Sequence, residues 1–171
     1  MRKILQRILL FVFIVFITQH LFIAYVPQLV FAIAKHRKPQ PVNTVYHAGK
    51  TDASLRKVVL PNPDFIYSAC FFNLSKNDLL ITGEFPDTSQ YCSLAFYDDN
   101  VQPYYVRNNL QGFKNKYTIR LSAVNRVQRT LRAKTKQGTV LMRILVTDSS
   151  QMANAKRIQQ LFKVKEVPQN D

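Results

Sequence analysis

The sequence predicts a mainly β protein with one N-terminal transmembrane helix, an antiparallel β-sandwich or jelly-roll-like domain, and one C-terminal amphipathic helix. Three observations carry this. A single apolar run without charge stands near the N-terminus; turn clusters separate short apolar segments about every ten to thirteen residues; and only the last stretch changes to a helical period. The chain therefore divides into an anchor over 1–34, a linker over 35–57 and a β-rich soluble domain over 58–171.

The anchor rests on Ile8 to Val26, ILLFVFIVFITQHLFIAYV, which contains no Lys, Arg, Asp or Glu. As a helix it is about 28 Å long, the thickness of a bilayer core. Its Leu, Ile, Phe and Val side chains each favour insertion by a few tenths of a kcal/mol, which outweighs the cost of Thr18, Gln19 and His20. The competing reading is a cleaved signal peptide ending at Ala32-Ile33-Ala34, but the continuous apolar run stops at Ile17, too far upstream of that site. Pro27 is expected to kink the helix or open a short interfacial extension. Basic residues flank both ends (Arg2, Lys3 and Arg7 before; Lys35, Arg37 and Lys38 after), so the positive-inside rule gives no orientation.

From Lys35 to Lys57 the chain is polar, carries Pro39, Pro41 and Gly49, and reads as a linker. Val58 to Leu60 is a candidate short strand, closed by Pro61-Asn62-Pro63-Asp64. Phe65 to Leu74 is aromatic-rich and short enough for a buried strand; Ser75 to Asp78 turns; Leu79 to Phe85 returns, an apparent hairpin. Tyr91 to Tyr97 and Val101 to Arg107 follow, separated by Asp98-Asp99-Asn100, and further strands are expected at Lys116 to Leu121, Arg126 to Ala133 and Thr139 to Val146. Met152, Ala155, Ile158 and Leu161 or Phe162 then recur at helical spacing, with Asp148, Ser149 or Ser150 available as the cap.

Of the chain's twelve Phe and eight Tyr, seven Phe and six Tyr fall after Val58, enough material for a core without staples. Cys70 and Cys92 are too few for a disulfide scaffold; they can pair in an oxidising compartment or serve as buried thiols. The histidines His20, His36 and His47 lie in the anchor or linker, no metal-ligand spacing occurs, and the glycines stand singly, so no cofactor, metal or phosphate-cradling loop is implied. With no histidine after Val58, a catalytic triad would have to recruit His47.

The charge is informative. Lys and Arg outnumber Asp and Glu by 24 to 10, for a net charge of +14. Between Asp99 and Asp148 there is no acidic residue, while Arg107, Lys114, Lys116, Arg120, Arg126, Arg129, Arg132, Lys134, Lys136 and Arg143 are all basic. On alternating strands many of these are expected to share a solvent-facing stripe. Such a stripe suits anionic lipid head groups or an envelope protein. Nucleic acid is disfavoured, because no recognised binding motif accompanies the charge. Asn73-Leu74-Ser75 fits a glycosylation sequon, which matters only in a eukaryotic secretory route.

The stretch LPNPDFIYSACFFNLSKNDLLITGEFPDTSQYCSLAFYDDNVQPYYVRNN, Leu60 to Asn109, resembles the bacterial family known as domain of unknown function 1254. The pattern runs Pro63-Asp64, Tyr67, Ala69-Cys70, the Asn73-Leu74-Ser75 turn, Pro86-Asp87, and Tyr91-Cys92-Ser93-Leu94-Ala95-Phe96-Tyr97-Asp98. The resemblance implies a single-pass protein of the bacterial inner membrane with a periplasmic β-rich domain, and it brings no activity with it. Members are less basic than this chain, so the positive stripe is not explained by kinship. The leading expectation is a membrane-anchored binding or structural module with a basic surface. The alternative is a small envelope enzyme using Asp64, Tyr67, Asp87 and Tyr97.

Overall fold

A computed structural model of the chain describes residues 2–37, 41–50, 62–87, 89–111, 116–124 and 130–169. The apolar N-terminus forms one helix, α1 (Arg2–His36), which alone among the described residues is long and apolar enough to cross a membrane. Pro27 lies inside it and starts no separate segment. Proline removes a single N–H, and the helix is continuous on both sides of it. The one histidine of the apolar run is satisfied within the helix: the His20 ring nitrogen Nδ1 lies 2.9 Å from the Phe16 carbonyl, one turn back.

Among the described residues nine strands follow: β1 (Val45–His47), β2 (Phe65–Asn73), β3 (Asn77–Glu84), β4 (Cys92–Asp98), β5 (Pro103–Asn108), β6 (Lys116–Ser122), β7 (Thr130–Arg132), β8 (Gln137–Leu145) and β9 (Lys163–Pro168). They form a five-stranded sheet in the order β1-β2-β8-β4-β5 and a four-stranded sheet in the order β7-β6-β3-β9. All pairs are antiparallel except β6 with β7, which is parallel, so the sandwich is mixed. The inner faces meet in a single core that includes Ile66, Cys70, Phe72, Leu79, Ile81, Leu94, Phe96, Leu121, Val140, Met142 and Ile144.

Two expectations change here. Strands β2 and β3 are not a hairpin: β2 pairs with β1 and β8, and β3 with β6 and β9. The connection at Leu74 is an arch between sheets, with the Leu74 side chain buried in the core and its N–H donated to the Lys136 carbonyl (2.8 Å). A turn signal reports a reversal of direction; whether the chain returns in the same sheet depends on which partner offers its edge. The polar stretch before the domain is also partly folded, because β1 pairs with the edge of β2. Asn43, at φ 65°, holds it there: its side-chain oxygen accepts from Asn73 N–H (2.8 Å), and its amide donates to the Asn73 carbonyl and to the Glu166 carboxylate. Asparagine tolerates this left-handed conformation better than most residues. The Val58 to Leu60 strand and residues 125–129 of the Arg126 to Ala133 strand lie outside the described residues.

The C-terminal helix α2 (Met152–Leu161) buries Ala155 and Ile158 against the sandwich, as its period requires. Asp148 caps the short 3-10 turn that leads into it, accepting from Ser150 N–H, while the Gln151 side chain returns to the Asp148 backbone. Gln159 donates to the carbonyls of Ala48 (2.9 Å) and Tyr67 (2.8 Å), fastening the β1 and β2 backbones from the side. Strand β9, not expected from the sequence, covers the open edge of β3. The last turns of α1 rest on the five-stranded sheet, with Phe31 buried and its ring 5.8 Å from that of Phe71, and with Lys35 Nζ donating to Gln137 Oε1 (3.0 Å).

Cys70 opposes Val140 and Cys92 opposes Ile144, with β8 running between them. Two strand spacings and four residues of rise separate them by about 16 Å, far outside disulfide reach. Both are free, and burial pushes each thiol up to about 12. The folded protein is therefore expected to resist maleimide until denaturant is added, with the same mobility on reducing and non-reducing gels; rapid native labelling of either cysteine contradicts the burial.

Gly138 sits in mid-strand where an added Cβ would collide with the Tyr97 carbonyl and lie 2.5 Å from the Phe72 ring. Gly138→Ala is expected to lower stability by about 1–3 kcal/mol, as overpacking does. Thermal unfolding of the full chain in neutral detergent measures this, and an unchanged midpoint contradicts the close approach.

Candidate functional site

In β6 the odd residues Tyr117, Ile119 and Leu121 point into the core, so Lys116 and Arg120 point outward. By register Arg132 lies across from Ser122, while Lys163 and Lys165 of β9 lie across from Thr82 and Leu80. Lys116, Arg120, Arg132, Lys163 and Lys165 thus share the outer face of the four-stranded sheet. The last two were not expected, because β9 itself was not.

Part of this charge is neutralised in place. Lys116 pairs with Glu84 (3.3 Å). Arg120 binds the fully buried Asp78 (2.9 Å) and the Pro168 carbonyl (2.8 Å). Removing one partner of a pair this buried strands the other, so Arg120 has a structural duty that Lys163 and Lys165 lack. Among the described residues Arg132, Lys163 and Lys165 form no ion pair.

The other basic residues lie elsewhere. Arg107 opposes the buried Leu94, so it turns inward, with its guanidinium 5.6 Å above the Phe85 ring. Lys134 and Lys136 are exposed in the turn between β7 and β8, and Lys134 reaches Asp98 (3.0 Å). Arg143 is on the outer face of the five-stranded sheet. Lys114, Arg126 and Arg129 lie outside the described residues. A run continuous in sequence is divided between two sheets because consecutive strands do not stay in the same one.

The carboxylates and tyrosines of the enzymatic alternative do not converge. Tyr67 Oη accepts from Asn62 N–H (3.0 Å), and Asp64 lies in that same turn, with its own N–H bonded to Asn62 Oδ1 (2.9 Å). Asp87 accepts from the Ser89 N–H and hydroxyl in a local turn. Tyr97 opposes Thr139 whereas Tyr67 opposes Arg143, which sets those two about 16 Å apart. Cys70 is sealed in the core. Asp98 is buried and accepts from the N–H groups of Asn100 (3.0 Å) and Gln102 (2.8 Å), closing the β4–β5 turn in which Val101 takes φ 60°. A β-branched residue there is strained, and the carboxylate holds the turn that imposes it.

His47 belongs to β1 rather than a linker, and its Nδ1 lies 2.9 Å from Ser68 Oγ. Burial lowers its pKa from the ordinary value. Ser68 is itself buried, and the pair lies between the paired strands β1 and β2. No group of three His, Cys, Asp or Glu side chains among the described residues could hold a metal ion.

Comparison with known proteins agrees with this architecture. The fold is similar to that of the VPA0106 protein from Vibrio parahaemolyticus, with a TM-score of 0.64 at 10% identity over 84% of this chain and 35% of that one. It is also similar to an uncharacterized protein from Burkholderia cenocepacia, with a TM-score of 0.51 at 17% identity over 84% of this chain and 40% of the other. At these identities the likeness concerns the fold, and this chain spans well under half the length of either. No curated protein matches it. The family model described as "Protein of unknown function (DUF1254)" matches residues 42–166, from just before β1 into β9, and the chain belongs to that family.

Proposed function

We propose that the chain is a single-pass protein of a bacterial inner membrane, whose sandwich lies on the periplasmic side and binds an anionic surface through the outer face of its four-stranded sheet. The observation that carries the reading is the convergence of Lys116, Arg120, Arg132, Lys163 and Lys165 on one face, three of them without an acidic partner among the described residues. Anchoring is supported by α1, whose apolar run is exposed along its length. Exposure of so many large apolar side chains in water is otherwise costly. The net charge of +14 favours anionic partners by long-range attraction. The dispersal of Asp64, Tyr67, Asp87 and Tyr97 favours binding over catalysis.

Two measurements test this. Alkaline phosphatase fused after Asp171 is expected to be active and a green fluorescent protein fused there dark; the reverse pattern places the domain in the cytoplasm. Full-length protein in neutral nanodiscs is expected to co-sediment with phosphatidylglycerol vesicles in a salt-sensitive way. Lys163→Gln with Lys165→Gln should weaken this severalfold, each basic residue contributing about 1 kcal/mol near such a surface. Equal recovery with neutral vesicles removes the basic-face reading.

A further inference from the structure

Three consecutive residues near the middle of the apolar span, Thr18, Gln19 and His20, carry polar side chains. The His20 ring lies 2.9 Å from the Phe16 carbonyl, and a helix offers a threonine hydroxyl the carbonyl one turn back. Gln19 is different. Its amide brings two donors and an acceptor, and it makes no hydrogen bond among the described residues.

The depth of this amide decides what can answer it. Gln19 stands seven residues before Val26 and eleven after Ile8, so about 10 Å of helix separates it from the nearer end of the span. Side chains on a helix lean toward its N-terminus, which carries the amide toward the middle of the span and away from that nearer end. Snorkelling to the surface is closed to it. With no water at that depth, an amide left unbonded costs free energy. The face that bears it is free of the sandwich, which meets α1 beyond the span at Phe31 and Lys35. Ile8, Val12, Val15, Gln19 and Phe22 share that face at spacings of four, three, four and three, and all are exposed. This is the seam by which membrane helices cross at a shallow left-handed angle. Val12 and Val15 are shorter than the Leu, Ile and Phe on the other faces, and their stiff side chains lose little freedom on contact. The opposite face carries Leu10, Ile14, Ile17 and Leu21.

We propose that α1 pairs within the bilayer with α1 of a second copy of this chain, parallel and about a two-fold axis, with the two Gln19 amides hydrogen-bonded to each other across the seam formed by Val12, Val15 and Phe22. An amide is its own complement, because each can donate an N–H to the other's carbonyl oxygen. A two-fold axis sets a residue against itself. Copies anchored in one membrane in one orientation also hold Gln19 at the same depth, a match that an unrelated helix has to reproduce with a polar group of its own at that level. The inference rests on the anchoring reading of α1 and shares no residue with the basic face.

The test uses full-length protein labelled after Asp171 with a donor or an acceptor fluorophore and reconstituted in phosphatidylcholine vesicles, whose neutral surface leaves the basic face unengaged. Energy transfer is expected to rise with the protein-to-lipid ratio, to vary linearly with the acceptor fraction as a pair requires, and to fall when unlabelled protein is added. Gln19→Leu keeps the bulk and removes the amide; half-maximal transfer should move to about tenfold higher protein density, within what hydrogen bonds between membrane helices contribute. Gln19→Asn, which keeps the amide on a shorter stem, should fall between wild type and Gln19→Leu. Val15→Phe, which holds the helices apart, should weaken pairing severalfold, and Leu21→Phe on the opposite face not at all. Transfer unchanged by both Gln19→Leu and Val15→Phe puts the contact elsewhere and overturns the seam. Protein that floats with the vesicles yet shows no transfer at any density overturns the pairing of copies while leaving the anchor intact. Protein that fails to float removes the anchoring reading, and the pairing with it.

Discussion

Strand β8 is the constraint on which the sandwich depends. It is hydrogen-bonded along its length to β2 on one side and β4 on the other, and its alternate residues Gly138, Val140, Met142 and Ile144 face the core. Such a strand has no free edge to absorb error, so its register fixes that of both neighbours. Gly138 is where this is tightest, because the Phe72 ring and the Tyr97 backbone occupy the space a side chain would need. On the four-stranded sheet the corresponding accommodation is Gly83, whose missing side chain makes room for the Tyr117 ring. The two glycines let large aromatic residues fill the layer between the sheets.

Periodicity makes much of this legible in the sequence. The two-residue alternation in Thr139 to Val146 and the helical recurrence of Ala155 and Ile158 identified β8 and α2, because each segment has one wet and one dry side. Partnership was less legible. The Ser75 to Asp78 turn reads equally well as a hairpin or an arch, and the distinction is made by residues distant in sequence, Lys136 among them. Strands β1 and β9 were missed for a related reason. Both are short edge strands of mixed burial, with polar residues at alternate or consecutive positions, so neither shows a clean apolar pattern. What fixes them is specific hydrogen bonding: Asn43 and Asn77 both bind the Glu166 carboxylate, joining one end of the fold to the other.

The same limit applies to function. Composition gave the excess of positive charge but not its distribution, because a linear run of basic residues is parcelled out by topology. Arg107 goes to the edge of the interior, Arg120 to a buried ion pair, and Arg143 to the far sheet. The acidic residues show the converse. Asp78, Asp98 and Asp148 serve an ion pair, a turn and a helix start, respectively.

The placement of β9 bears on how the chain is made. It comes after every strand it has to protect, and it alone covers the edge of β3 away from β6. A chain stopped before Lys163 presents that edge as a row of unanswered backbone donors and acceptors, the template on which other polypeptides add strands. Interrupted synthesis or trimming of the C-terminal region therefore leaves a sticky species, not merely a shorter one. Strand β9 replaces that bare edge with one carrying Lys163, Lys165 and Pro168, residue types that blunt strand addition.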